Sequence, residues 1–450
     1  TSLQQALVGS LVPSGKALFS DLVKGIFNRP DGQVGGVQVR GTNAGGINLA
    51  AAVTNPANPA GLFSGSIASQ RSDRGVGANG KTVLAGIRKD LGAHTDLYVQ
   101  EVAGQAGSVK TDFLGEDGTV RKTRTDTIGA FAILEFANEA PSGAVSASVT
   151  NLGSGSKIVA QALVFDETTG DPTNLVDWNQ RNGTADSESQ IIPLAASGVT
   201  AGKRTRTDVW ITNRGTTTAT GTLAFYGSAS RRRSVGRSST APMEASRTIT
   251  VDAGKTRILR DVVASEFLSS TASGYLLYTP ASGTVAMTSG TFKDSAGAQP
   301  GASGGSGTSV PVMAASTGLK AGETRQFSSL DDASSRTIAT AEPATYRTGF
   351  GLVESSGKSV SVKVTLRYFL LVPGSRVSAQ LTASKEYALP PRGSIFVDRM
   401  STAVFGPDRE QIGDMHDLIL EIAVTGGEGQ AIPFTLATEN GSGDTILRIE

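Results

Sequence analysis

Apolar and polar positions alternate in short runs along most of this chain. Residues 359–371, SVSVKVTLRYFLL, alternate over much of their length, as a strand with one buried face does. Comparable runs recur at 95–102 (TDLYVQEV), 207–213 (TDVWITN), 220–226 (TGTLAFY) and 418–424 (LILEIAV). Clusters of Gly, Pro, Ser and Asn separate them, which predicts many short strands joined by turns. No apolar run reaches the length of about 18 residues that a membrane-spanning helix needs, so no membrane span is expected.

One stretch, 251–292, sets the pattern for the rest. It reads as a strand at Thr256–Leu259, a helical turn over 261–267, and a hairpin with strands at 275–279 and 284–291 around the turn 280–283. The same grammar appears at 11–53, where Asp21 and Phe27 stand at the separation of Asp261 and Phe267. There GGVQVRG and INLAAAV form the expected hairpin, which contains Val37 and Leu49. It appears again at 392–405, ahead of LILEIAV and AIPFTLA. A degenerate copy in the second quarter lacks the helical turn. Four copies of one unit predict a repeat protein. Landmarks recur about every 110 residues, close to the size of one immunoglobulin-like sandwich. The expected fold is all-β: tandem immunoglobulin-like β-sandwich repeats, three complete and one N-terminal partial, each with one short helical turn. The expected boundaries are 1–67 for the partial unit, which lacks its first strands, then 81–180, 189–295 and 310–443 for the repeats.

Composition narrows the chemistry. Lys and Arg number 41 against 40 Asp and Glu, a net charge of +1, so no nucleic-acid footprint is present. The absence of cysteine excludes disulfides and thiolate chemistry. With 55 glycines and abundant Ser, Thr and Ala, the chain favours turns over long helices. Such cysteine-free chains suit bacterial surface proteins.

Candidate chemical groups each meet a plainer reading. His94 and His416 occupy non-equivalent slots and read as turn or surface histidines. Asp96 and Asp208 share one slot, and Asp21, Asp261 and Asp398 share another that opens the helical turn. A repeated Asp there reads as a repeated helix cap. Calcium could use residues 166–171, Asp331 with Asp332, or Asp408 with Asp414 and Asp417, but none has EF-hand spacing. Arg231, Arg232, Arg233 and Arg237 lack interleaved aromatics and read as a solvated loop. The Ser355–Lys358 pair opens a turn and not a helix, and the glycine-lysine-threonine at 254–256 lacks the upstream glycine of a phosphate loop. Tyr98 and Trp210 share a slot, which favours a common packing role over a sugar-stacking face with Trp178. No cofactor, no bound metal and no enzymatic activity are expected.

The succession VPV or IPL, RTDVWITN, TGTLAFY and VDAGKTRILRDVV resembles tandem β-sandwich repeats of bacterial secreted and surface proteins, best over 189–292. That resemblance implies an extracellular or cell-surface setting. Residues 444–450, DTILRIE, resemble the opening strands KTVLAGIR, QIIPLAA and VPVMAAS. They read as a spare opening strand behind the last unit, while the first unit lacks strands. Either the chain is a window on a longer one, or its ends complement each other between subunits. On the second reading Ile446, Leu447 and Ile449 dock on the Val37/Leu49 hairpin of a neighbouring copy, head to tail. The expected function is a non-enzymatic filament or stalk subunit whose partner is itself. The alternatives are a module that binds a cell-surface glycan and an accessory piece of a secreted hydrolase.

Overall fold

The computed structural model describes residues 19, 21–30, 34–40, 49, 51–55, 63–90, 92–200, 202–228, 244–295, 305–333, 346–371, 378–406, 414–440 and 442–449. The arginine run at 231–237, Asp408 and most of the 297–309 linker lie outside them. The chain is all-β, built of several antiparallel sheets.

At the front, Asp21 opens the short helix α1 (Leu22–Gly25), and β1 (Ala51–Asn55) pairs with β2 (Phe63–Ile67). Residues 34–40 carry no strand, and Leu49 lies just outside β1, so the expected Val37/Leu49 hairpin does not form.

The next eight strands are β3 (Lys81–Ala85), β4 (Ala93–Glu101), β5 (Gly107–Leu114), β6 (Val120–Ile128), β7 (Ile133–Phe136), β8 (Ser146–Asn151), β9 (Ile158–Asp166) and β10 (Pro172–Leu175). Burial along β4 alternates residue by residue, as one core-facing side requires. The strands form two four-stranded sheets, ordered β10-β9-β4-β7 and β3-β8-β5-β6. Between them Leu97, Val99, Phe113, Phe136 and Val149 fill the core. A short helix, α2 (Trp178–Asn182), follows; Asp177 caps it and Gly183 ends it in the left-handed region.

The same connectivity then recurs. In the following unit the strands are β11 (Gln190–Thr200), β12 (Lys203–Asn213), β13 (Ala219–Gly227), β14 (Glu244–Val251), β15 (Thr256–Leu259), β16 (Ala272–Ser282), β17 (Val285–Ser295) and β18 (Ser306–Val310), with α3 (Val262–Ser265) after β15. One continuous sheet path, β14-β13-β16-β11-β12-β17-β18, runs through both layers because the long β11 turns back onto β12; β15 flanks β12. A two-residue strand, β19 (Met313–Ala314), pairs with β11 and leads onward. The last unit comprises β20 (Thr324–Asp332), β21 (Tyr346–Glu354), β22 (Val360–Leu371), β23 (Ser378–Leu389), β24 (Ser394–Val397), β25 (Met415–Gly427), β26 (Ala431–Glu439) and β27 (Thr445–Arg448), with α4 (Met400–Phe405) after β24. Its sheets, β24-β21-β26-β27 and β20-β25-β22-β23, match those of the β3–β10 unit strand for strand. In each unit the first strand flanks the sixth and the seventh flanks the second, so the sequence crosses between sheets repeatedly in Greek-key fashion.

Two further expectations, both about strand pairing, need correction. The strands flanking 280–283 are not a hairpin: β16 pairs with β11 and β13, whereas β17 pairs with β12 and β18. A short turn carries the chain from one layer to the other. The same holds for β25 and β26. Alternating burial reads alike in either arrangement, which is why the pattern alone suggested pairing.

The second correction concerns the tail. The expected boundary between 443 and 444 falls inside the β26–β27 hairpin, in which Leu436 faces Leu447 and Ala437 faces Ile446. Residues 445–448 are therefore the closing strand of their own unit, the counterpart of β10 and β18. They are not an opening strand offered to a neighbour. Ile446 and Leu447 are buried within the chain, and Ile449 packs against the core of the β11–β18 unit. Val37 and Leu49 are exposed. A partner tethered by a five-residue turn forms its ladder at far higher effective concentration than a second molecule can offer.

Candidate functional site

The closing strands converge. Strand β2 packs on β10 and β27, and β18 packs on the same two, so strands from four places in the sequence form a closed hub. Close backbone approach is built in. A Cβ on Gly65 of β2 would run into the Pro172 carbonyl of β10, so only glycine fits there.

Two hairpin turns aim acids into this hub. The turn before β10 is held by Asp166, which accepts the Thr168 and Thr169 amides, and Gly170 then adopts a left-handed φ of 69°. The turn before β27 is held by Glu439, which accepts the Ser442 hydroxyl at 2.8 Å, and Gly443 takes φ 74°. Each turn ends in Asp. Asp171 accepts the Gly307 amide of β18 at 2.5 Å, and Asp444 accepts the Ser64 amide of β2 at 2.6 Å. Asp171 and Asp444 are 2% and 1% exposed, almost wholly withdrawn from water.

Burial, and then the nearby Asp444 charge, push the Asp171 carboxyl well above its usual range. Burial pushes Asp444 up to about 7, against the pull of its amide donors and of Lys293. Lys293 donates to the Gly443 carbonyl at 2.7 Å and the Thr445 hydroxyl at 2.8 Å; burial, reinforced by Arg347, pushes it down to about 8. Lys203 reaches the Ser442 carbonyl at 2.9 Å, and the Tyr346 and Ser64 hydroxyls lie 3.3 Å apart. No local sequence signal sets this site apart: Gly-Asp followed by a leucine occurs here as GDPTNL and GDTIL, and again as GDMHDL at 413–418, outside the hub.

The other singled-out residues serve structure. Asp21 caps α1 through the Lys24 amide. Asp261 takes the same left-handed conformation, φ 46° against 47°, but its side chain pairs with Arg204 at 2.6 Å and caps nothing. Asp398 is not a cap either: Arg399 precedes α4, and Asp332 accepts the Ser401 amide at 3.0 Å. Asp96 and Asp208 keep one shared role, accepting the amides of Asn138 and Asp261, both left-handed residues. Buried Asp208 also joins a charge network with Arg206, Arg260 and, through Arg206, Asp294. Trp210 packs edge-on against Phe292 and Trp178 is buried on α2. His94 lies on Phe165 and pairs with Glu167 at 2.8 Å, while His416 pairs with Asp331 at 3.3 Å in another unit.

A further recurring acid emerges at the end of the second strand in the β3–β10 and β20–β27 units. Glu101 accepts the amides of Ala103, Gly104, Gln105, Phe131 and Lys157 at 2.7–3.2 Å. Glu354 likewise accepts those of Ser356, Gly357 and Arg392. Asn213 fills the equivalent place in the β11–β18 unit and accepts the Gly215 amide.

One open cleft of about 510 Å³ lies between the β3–β10 and β11–β18 units, beside Arg88, Lys89, Arg260 and Trp210. Its cations are already engaged: Arg88 with Asp90, Lys89 with Asn138 and Arg260 with Asp208. Among the described residues no group of three or more His, Cys, Asp or Glu is placed to hold a metal ion, and no helix is long and apolar enough to cross a membrane. No family model matches the chain, nor does any curated protein or solved structure.

Proposed function

We propose that the chain is a non-enzymatic structural protein of the cell exterior, whose sandwich modules are clasped into one body and assemble through their outer faces. The observation that carries this reading is the hub, where closing strands from four sequence positions lock together. The buried acids Glu101, Glu354, Asp171 and Asp444 each accept main-chain amides and so hold turns and modules in place. Composition without cysteine and the resemblance to surface repeats favour an exterior setting. Assembly by donation of 444–450 is not part of the proposal, because that strand is already paired.

Sedimentation velocity and negative-stain micrographs of the purified chain at rising concentration test the reading. Regular higher-order assemblies built from one compact particle support it. A persistent monomer retained on a glycan array would favour the binding-module alternative, for which the cleft beside Arg88 and Trp210 is of suitable volume. A monomer that binds nothing and unravels into separate beads would overturn the proposal.

A further inference from the structure

The hub joins parts of the chain that are remote in sequence, and its two central acids carry different surroundings. Asp444 has one cation close by, Lys293 of β17, itself flanked by Arg347 and Asp398. Glu439 of β26 adds a negative charge beside it, Lys203 reaches the adjoining Ser442 carbonyl, and Tyr346 of β21 faces the same point through Ser64. Among the described residues no cation acts on Asp171. The charges that face it are Asp444 and Asp166, both acidic. Its second oxygen is buried with no hydrogen-bond partner among the described residues. The four hub strands bring in only one charged side chain, Arg448, which turns away to the Ser328 carbonyl at 3.5 Å.

An ionised carboxylate in that position is unfavourable, because burial removes its water and its neighbours repel it. Protonation removes the charge without changing the shape. The amides of Ser64 and Gly307, which tie β2 and β18 to the acids, still find an acceptor oxygen. We propose that the Asp171 and Asp444 carboxyls make the hub a proton-operated latch, shut while the pair retains a proton and loosened once both ionise.

The direction follows from linkage. Both acids are raised in the closed hub, so the closed state binds more protons than the open one above the ordinary carboxylate value of 3.8, and for Asp444 this window ends at about 7. Closure is therefore favoured in mild acid and weakens as pH rises through that window. Lys293 acts oppositely and higher up: its depressed value means closure regains ground only between about 8 and its ordinary 10.5. The latch should be loosest near pH 8.

Hydrogen exchange on the full chain tests this independently of any structural role. Protection of the amides in 63–67 and 306–310 is compared at about pH 5.5 and about pH 7.5, after correction for intrinsic exchange. The expected result is at least a tenfold loss of protection at the higher pH, since one proton changes the closed-to-open ratio by up to about tenfold per pH unit. Segment 107–114, in the middle of a sandwich, should not change. The double variant Asp171→Asn/Asp444→Asn keeps the shape without the charge and should hold protection at both values. Equal protection of the unmodified chain at the two pH values would overturn the latch, even if the variant failed to fold. So would a folded variant that loses protection in parallel with it.

Discussion

Replacing Glu101 by alanine should open the turn at the end of β4 and the two loops that lean on it. The side chain is fully buried and its two oxygens accept five main-chain amides, from three separate segments. A hydrogen bond to a charged acceptor is worth about 1.5–3 kcal/mol, and an orphaned buried donor costs about 1–3 kcal/mol. Five such terms do not add, since the amides lie near the surface and water can enter the vacated space. A net loss of about 3 kcal/mol is expected, on the order of a hundredfold in local opening. Glu101→Gln keeps one acceptor oxygen and should lose about half as much. Hydrogen exchange of the 101–105 and 128–133 amides reads the effect directly.

The acid response gives a second check on the same residue. Burial alone would raise the Glu101 carboxyl, but the amides of Phe131, Ala103, Lys157 and Gly104 outweigh it and hold it below its ordinary 4.5. Its contribution is therefore present in full above that value and fades as pH falls through the depressed one. Glu354 should behave alike, whereas the unit carrying Asn213 should lack this acid-sensitive component. An alanine variant with unchanged exchange in those segments would refute the reasoning.

Three further outcomes are expected. Arg206→Met leaves Asp294 buried without its cation and Asp208 with only the half-exposed Arg260, so denaturant titration should show a loss of about 3–5 kcal/mol in the β11–β18 unit. Gly65→Ala places a methyl against the Pro172 carbonyl and should cost about 1–3 kcal/mol, read as earlier proteolysis between β2 and β3. Trp178→Phe should change thermal stability by no more than about 1 kcal/mol for the lost N–H, because the buried indole nitrogen has no partner among the described residues.

Local rules were legible in the sequence where one residue decides one backbone conformation. Asp21 and Asp261 were matched by spacing alone, and they share a left-handed φ and a four-residue helix. The second quarter carries no counterpart of this motif in its sequence, and no helix stands between β7 and β8. The phase of the repeat is not legible at the tail, because β27 (TILR) carries the same kind of apolar run as the opening strand β3 (KTVLA). Its hairpin with the preceding strand, not its composition, decides which unit owns it. The hub itself was out of reach. Asp171 and Asp444 differ from surface aspartates only in what the rest of the chain brings against them.

Ser64 and Asp444, hydrogen-bonded across the hub, are 380 residues apart along the chain. During synthesis each sandwich can fold from nearby segments as it emerges, and β2 can meet β1, β10 and β18 early, but its β27-facing side stays unfilled until β27 exists. Contacts of such long sequence separation form late and leave apolar surface transiently exposed. At about 5–20 residues per second the 380 residues between Ser64 and Asp444 take on the order of a minute to synthesise, and for that time the face of β2 that β27 will fill is open to engagement by another copy.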